Sequence, residues 1–308
     1  MSSVIFLGTP NFGSVVLQGL IEQGYEIKAV VTQPDKRVGR KQVVHQSAVK
    51  ETALKHNLPV YQPAKLSGSE ELAELMKIEP DFIITAAYGQ FLPTKFLKSA
   101  KVAPVNVHGS LLPKYRGGAP IHQAIKNGDK ETGITIMYME KEMDAGDILG
   151  VRKVKIEDSD TCGSMFNKLS LVGRDLLLET IDKLVEGKIT PIKQNENEAT
   201  FAYNVTKEEE LIDFNEETAT DVFNHVRAYN PNPVAHMLLK GEPLKIYETR
   251  VYDYKHNYEP GKIFVMNKNH VYVACKDNTT IELLTVQPVG KKPMPASDFA
   301  NGALRKYL

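Results

Sequence analysis

Cysteine is nearly absent: Cys162 and Cys275 are the only thiols in 308 residues, and neither has a companion at ligand spacing. A disulfide-stapled scaffold and a four-cysteine zinc site are therefore excluded, and the pair reads as core residues of a protein kept in a reducing compartment. An excess of either charge is missing too. Thirty-eight basic side chains balance 38 acidic ones, and a charged fraction of 25% is ordinary for a globular chain. Neither a disordered chain nor a uniformly basic nucleic-acid binder fits that balance, so any polyanion site has to be local. Long apolar runs are lacking as well. The opening Met1-Ser-Ser-Val-Ile-Phe-Leu carries no basic stretch, its apolar run stops at Gly8, and no later window approaches the roughly 18 apolar residues of a membrane span. A cytoplasmic protein that engages no membrane is expected. None of the eight histidines falls in an H-E-x-x-H or H-x-x-x-H pair, and G-x-S-x-G does not occur, so neither a metal nor a serine nucleophile is expected.

What is present is an alternation of short apolar runs with helical patterns. Residues 3–7 form a β-rich run stopped by Gly8-Thr-Pro, after which Val15, Val16, Leu20 and Ile21 recur at helical spacing. Apolar runs at 27–32, 60, 81–86, 105–108 and 134–139 follow, interleaved with helical patterns near 48–56, 70–77 and 120–128, and a long helix over 163–186 closes the series. Strands alternating with helices call for an α/β fold, a parallel sheet covered on both faces. Apolar content of 42% suffices for a core in each of two domains. The first is expected over residues 1–189. Residues 190–205 are polar and without period, as in a linker. Over 206–308, after one helix near 218–229, short runs at 244–247, 261–266, 270–275 and 280–286 alternate with turn residues; closely spaced antiparallel strands of this kind suggest a small OB-like barrel.

Three segments could carry chemistry. Gly8-Thr-Pro-Asn-Phe-Gly13 sits where dinucleotide enzymes carry G-x-G-x-x-G, but the spacing differs and no Lys-Ser/Thr follows, leaving a tight turn or a ligand-facing loop. In Val105-Asn106-Val107-His108, alternation along a strand puts Asn106 and His108 on one face at its carboxyl end, so an amide donor and a titratable imidazole converge where open α/β sheets place their sites. Asp144, in a turn between two strands, is either a partner for His108 or a backbone cap. Lys36-Arg37-Val38-Gly39-Arg40-Lys41 packs four cations into six residues of a neutral chain, which marks either a phosphate footprint or a solvated loop.

Asn106-Val-His108, the run Gly109-Ser-Leu-Leu-Pro-Lys-Tyr-Arg-Gly-Gly-Ala-Pro120 and Asp144 together resemble the formyltransferase family that uses 10-formyltetrahydrofolate. Within it the likeness is to the enzymes that formylate methionyl initiator tRNA, and it extends through Gly8-Thr-Pro, Ala87-Tyr-Gly-Gln-Phe-Leu-Pro93, Thr132-Gly-Ile-Thr-Ile-Met137 and Val286-Gln-Pro-Val-Gly-Lys-Lys-Pro293. The resemblance implies a Rossmann-like catalytic domain and a tRNA-binding OB-like domain in a monomer. It implies Asn106, His108 and Asp144 as the catalytic trio, with Ser110, Leu111, Leu112 and Pro113 lining the tetrahydrofolate site. It implies, too, that Lys36, Arg37, Arg40 and Lys41 approach the acceptor stem, although Lys-Arg-Val before Gly39 and Gln-Val-Val after Lys41 depart from the family's loop. A sugar-nucleotide N-formyltransferase would share the trio and lack a tRNA-directed basic loop; a non-catalytic RNA-binding protein would lack the trio.

Overall fold

The computed structural model describes residues 2–38, 42–267 and 269–307. The first apolar run is β1 (Ser3–Gly8), whose last five residues are all buried, so both faces of the strand are covered. It leads to α1 (Asn11–Glu22), β2 (Glu26–Val31), a hairpin of β3 (Lys36–Val38) and β4 (Val43–His45), α2 (Ala48–Lys55), β5 (Val60–Tyr61), α3 (Glu70–Met76), β6 (Phe82–Ala86), α4 (Thr94–Leu97) and β7 (Ala103–His108). Next come α5 (Pro120–Lys126), β8 (Glu131–Tyr138), β9 (Ile148–Lys155) and α6 (Cys162–Val185). Seven of these strands form one sheet in the order β5-β2-β1-β6-β7-β8-β9.

The expected parallel sheet holds from β5 to β7, but β8 runs antiparallel to β7, and β9 to β8. The connection between β8 and β9 is too short for a crossover, which forces reversal. Alternate residues of the central strands, Ile5, Leu7, Ala29, Val31 and Ile83, pack with Leu66, Leu75 and Phe96 in one buried cluster. Against the sheet lies α6 at Gly173, where a Cβ would come within 2.9 Å of Val107. After β1 the chain moves outward through β2 and β5, and from β6 it moves outward the other way. The carboxyl ends of β1 and β6 therefore diverge into the crevice where such sheets bind ligands. Gly8 and Gly13 make the tight turn there possible, since a Cβ on either would approach the Ala86 carbonyl to 2.8 or 2.7 Å.

Contacts divide the chain into two units, one of residues 1–120, 131–155 and 166–203, the other of 121–130, 156–165 and 204–308. The second unit contains α7 (Ala219–Ala228), opened by a capping box between Thr218 and Asp221. It continues through β10 (His236–Leu239), β11 (Glu242–Tyr252), β12 (Ile263–Met266), β13 (His270–Cys275), β14 (Thr279–Gln287), β15 (Met294–Pro295) and α8 (Ala296–Asn301). The strands pair antiparallel in the order β10-β11-β14-β13-β12, with β15 on β14, as an OB-like sheet. Val271, Val273, Ile281 and Leu283 form its buried face. Residues 121–130 join this unit through Lys126, whose Nζ lies 3.4 Å from the Tyr229 hydroxyl, and residues 156–165 through Arg227, which donates to the Glu157 and Asp160 carbonyls.

No helix among the described residues is long and apolar enough to cross a membrane. Both cysteines are buried, and burial pushes each thiol up to about 12 by disfavouring the thiolate. A thiol reagent at pH 8 is therefore expected to leave the folded protein unlabelled and to modify both residues once it is denatured. Rapid labelling of the native protein would contradict the core placement.

Candidate active site

Period-two alternation along β7 buries Val105 and Val107 on one face and sets Asn106 and His108 on the other. The turn after β8 brings Asp144 to the same place. Its Oδ1 accepts from Asn106 Nδ2 at 3.3 Å, and its Oδ2 lies 3.6 Å from His108 Nδ1. The three expected groups thus meet although 36 residues separate His108 from Asp144 in the sequence.

Groups that the sequence does not single out hold each of them. The Thr85 hydroxyl at the end of β6 donates to Asn106 Oδ1 at 2.6 Å, turning the amide so that its nitrogen faces Asp144. His108 Nε2 lies 2.9 Å from the Tyr115 carbonyl. A carbonyl only accepts, so the proton of this bond sits on Nε2, and Nδ1 is the ring nitrogen that faces Asp144. The Gly117 N–H donates to Asp144 Oδ2 at 2.8 Å, a charge-assisted bond that anchors the carboxylate. Asp144 itself adopts the left-handed backbone region, with φ of 51°. His108 is 5% exposed and the Asp144 side chain 14%, so the site is largely screened from water.

The run after β7 is clasped to β8. Thr135 donates its hydroxyl proton to the Ser110 carbonyl at 2.7 Å and accepts from the Leu112 N–H at 3.1 Å. Ser110 is fully buried with its hydroxyl on the Lys114 carbonyl, and Leu112 packs with Met137 and Ile148. Leu111 and Pro113 are half-buried. At the crevice a cavity of about 880 Å³ is lined by Thr9, Gln33, Lys36, Lys65, Tyr88 and Gln90 among others. Thr9 comes from the turn after β1, so that segment both turns tightly and lines the cavity.

The basic segment expected as a loop is a hairpin as far as it is described. Lys36 and Arg37 lie on β3, paired with His45 and Val44 of β4, and both are exposed. Val43 and Val44 are β-formers that support this pairing, a signal hidden beside a short cationic stretch. Gly39, Arg40 and Lys41 lie outside the described residues.

The supposed linker is ordered against this site. Arg116 pairs as a bridge with Phe201, and Ile148 with Ile192. Arg116, 3% exposed, grips Glu196 with two nitrogens, 2.9 and 2.8 Å from its oxygens, and the guanidinium holds that carboxyl below its usual range.

Residues 1–181 match the family described as formyl transferase, and residues 204–304 match the formyl transferase C-terminal domain. A methionyl-tRNA formyltransferase of Lactobacillus johnsonii is 65% identical over 98% of this chain and 96% of its own length; that of Lactiplantibacillus plantarum is 50% identical over 100% and 97%. Among solved structures, an N-formyltransferase from Helicobacter canadensis in complex with folinic acid and dTDP-3-aminofucose has a TM-score of 0.68 at 17% identity, covering 94% of this chain and 100% of its own. HypX from Aquifex aeolicus in complex with tetrahydrofolic acid has a TM-score of 0.67 at 16% identity, covering 99% of this chain and 48% of its own. At such identities the two structures speak for the fold alone. With both family models matched and half to two thirds of its residues shared with methionyl-tRNA formyltransferases along the whole length, the chain belongs to the formyl transferase family.

Proposed function

We propose that the chain transfers the formyl group of 10-formyltetrahydrofolate to the α-amino group of methionyl initiator tRNA, giving N-formylmethionyl-tRNA for translation initiation. The convergence of Asn106, His108 and Asp144 carries this reading, in a chain whose relatives of that name match it from end to end. The residues fit the donor, a flat polar heterocycle with an anionic tail. Leu111 and Pro113 offer apolar surface beside the trio, and the cavity at the crevice presents Lys36 and Lys65.

The donor supplies a formyl carbon whose oxygen gains negative charge as the amine adds and the folate nitrogen departs. Asn106 aims an N–H at that oxygen, and Thr85 keeps the amide from flipping. A free α-amino group titrates near ~8, so much of it is protonated at pH 7 and must lose a proton before it attacks. Asp144, directly or through water, takes that proton, and His108 Nδ1 exchanges it onward while Nε2 stays on the Tyr115 carbonyl. The new carbon–nitrogen bond replaces the old one; the ammonium proton passes on to solvent, and the second proton, lost by the nitrogen as it adds to the formyl carbon, is balanced by one gained at the folate nitrogen.

The same reading has Lys36, Arg37, Arg40 and Lys41 meet acceptor-stem phosphates, and the OB-like sheet within residues 206–308 hold the body of the tRNA. All three reacting groups come from one chain, which acts as a cytoplasmic monomer. A sugar-nucleotide N-formyltransferase, which would share the trio, is the second reading; the Helicobacter canadensis structure, at 17% identity, bears on the fold alone. Incubation of the protein with the formyl donor and either methionyl initiator tRNA or an amino-sugar nucleotide separates the two. N-formylmethionine on the tRNA is expected, and a formylated sugar with unmodified tRNA would overturn the proposal.

A further inference from the structure

Gln194 lies in the stretch with no periodicity, 50 residues beyond Asp144, yet it is 5% exposed and makes four hydrogen bonds. Its Nε2 donates to the Asp144 carbonyl and the Gly146 carbonyl, each at 2.8 Å. Its Oε1 accepts from Arg116 Nε at 3.1 Å and Nη2 at 2.8 Å. Carbonyls only accept and a guanidinium only donates, so the amide has a single orientation here. The two donated bonds bracket the turn in which Asp144 holds its left-handed φ, a conformation that persists in a non-glycine residue only when the surroundings over-determine it.

The same segment grips the other support of the trio. The Thr200 hydroxyl accepts from the Tyr115 N–H at 2.9 Å, and the Tyr115 carbonyl is the one that holds His108 Nε2. Backbone bonds from Arg116 N to the Thr200 carbonyl and from Ala202 N to the Arg116 carbonyl, both 2.8 Å, complete the clasp. At Gly117, whose N–H anchors Asp144, a Cβ would stand 2.6 Å from the Ala202 carbonyl, so the segment lies as close as backbone permits.

The geometry points to Gln194 as a positioning residue for Asp144, itself oriented by Arg116, so that residues 194–202 form a strap belonging to the catalytic apparatus. This rests on the reading of Asn106, His108 and Asp144 as the reacting groups. Gln194→Met keeps the volume and removes all four bonds. Gln194→Glu keeps the shape and the Arg116 contact but sets a carboxylate oxygen against two carbonyl oxygens. Each variant, in the full chain, is expected to lower the single-turnover formylation rate about 10- to 100-fold, the scale of a displacement near 1 Å, with KM for both substrates nearly unchanged.

A double-mutant cycle supplies the readout that a merely structural role would not move. In an Asp144→Ala background, Gln194→Met is expected to lower the residual rate by less than about 2-fold, because the group it positions is gone. Equal fractional losses in both backgrounds, or near wild-type rates for both Gln194 variants, would overturn the assignment while leaving the trio in place. An unimpaired Asp144→Ala enzyme would instead bring down the reading of the trio, and the strap's role with it. Thermal melts establish that each variant is folded when its rate is read.

Discussion

Asp144→Ala is expected to reduce the single-turnover rate of formyl transfer by at least about 100-fold, or about 3 kcal/mol of barrier. The carboxylate lies within reach of three groups: Asn106 Nδ2, the Gly117 N–H and His108 Nδ1. Its loss strands the Gly117 N–H, leaves the imidazole held through Nε2 alone and, on the proposed mechanism, removes the acceptor for the amine proton. Asn106→Ala should cost a similar factor by deleting the N–H aimed at the formyl oxygen, the usual cost of one oxyanion donor being about 10²–10³ in rate. His108→Ala removes the proton-exchanging nitrogen and belongs in the same range. Because these groups act as a unit, a double variant should be little slower than the worse of its singles. Asp144→Asn adds a finer discrimination, since it keeps the shape but offers an amide where a proton acceptor is needed. Single-turnover assays on folded variants with saturating donor decide the matter, and near wild-type rates in two of the three alanine variants would remove the chemical basis of the mechanism.

The second large effect concerns salt. On a chain with no net charge, tRNA affinity has to come from local cations, and the sequence places Lys36, Arg37, Arg40 and Lys41 within six residues. If each meets one phosphate, their joint replacement by alanine should flatten the log–log slope of binding against salt by about 3, at 0.7 to 0.9 per contact. Between 50 and 200 mM salt the wild-type protein would then lose about 100-fold more affinity than the variant. Melting temperature gives the control, because Lys36 and Arg37 are exposed and no salt bridge of the described residues uses either. Titration of initiator tRNA at four salt concentrations measures both slopes. Parallel lines would place the phosphate contacts elsewhere.

Much of this site was readable beforehand, for reasons particular residues make plain. Asn106 and His108 share a face because a strand has period two, and the Val105 and Val107 pattern announced the strand. Local period says nothing of what a turn 36 residues on will touch, so the residues alone left Asp144 as either a partner for His108 or a backbone cap, and the family resemblance implied the first. Thr85, Tyr115 and Gly117 were invisible because two of them act through backbone atoms, which any residue carries. The reversal at β8 was hidden for a related reason: residues 109–130 suit a crossover in either direction, and strand residues do not encode the direction of their neighbour. Gln194 was the hardest to see. A polar residue amid Lys-Gln-Asn-Glu-Asn looks solvated, and only the burial of its amide between Arg116 and the Asp144 turn sets it apart.

The order of residues 194–202 bears on how such chains can be recombined. A chimera joined at residue 189, where the last helix of the sheet has ended, would bring a foreign glutamine, threonine and glutamate to a native Arg116 and Tyr115. A graft joined after Tyr203 would keep donor and acceptor matched across every bond of the clasp. Exchange of the C-terminal part between relatives should therefore be less disruptive at the later junction, where only the contacts of residues 121–130 and 156–165 with the grafted part need matching, than at the earlier one, where the clasp is broken as well.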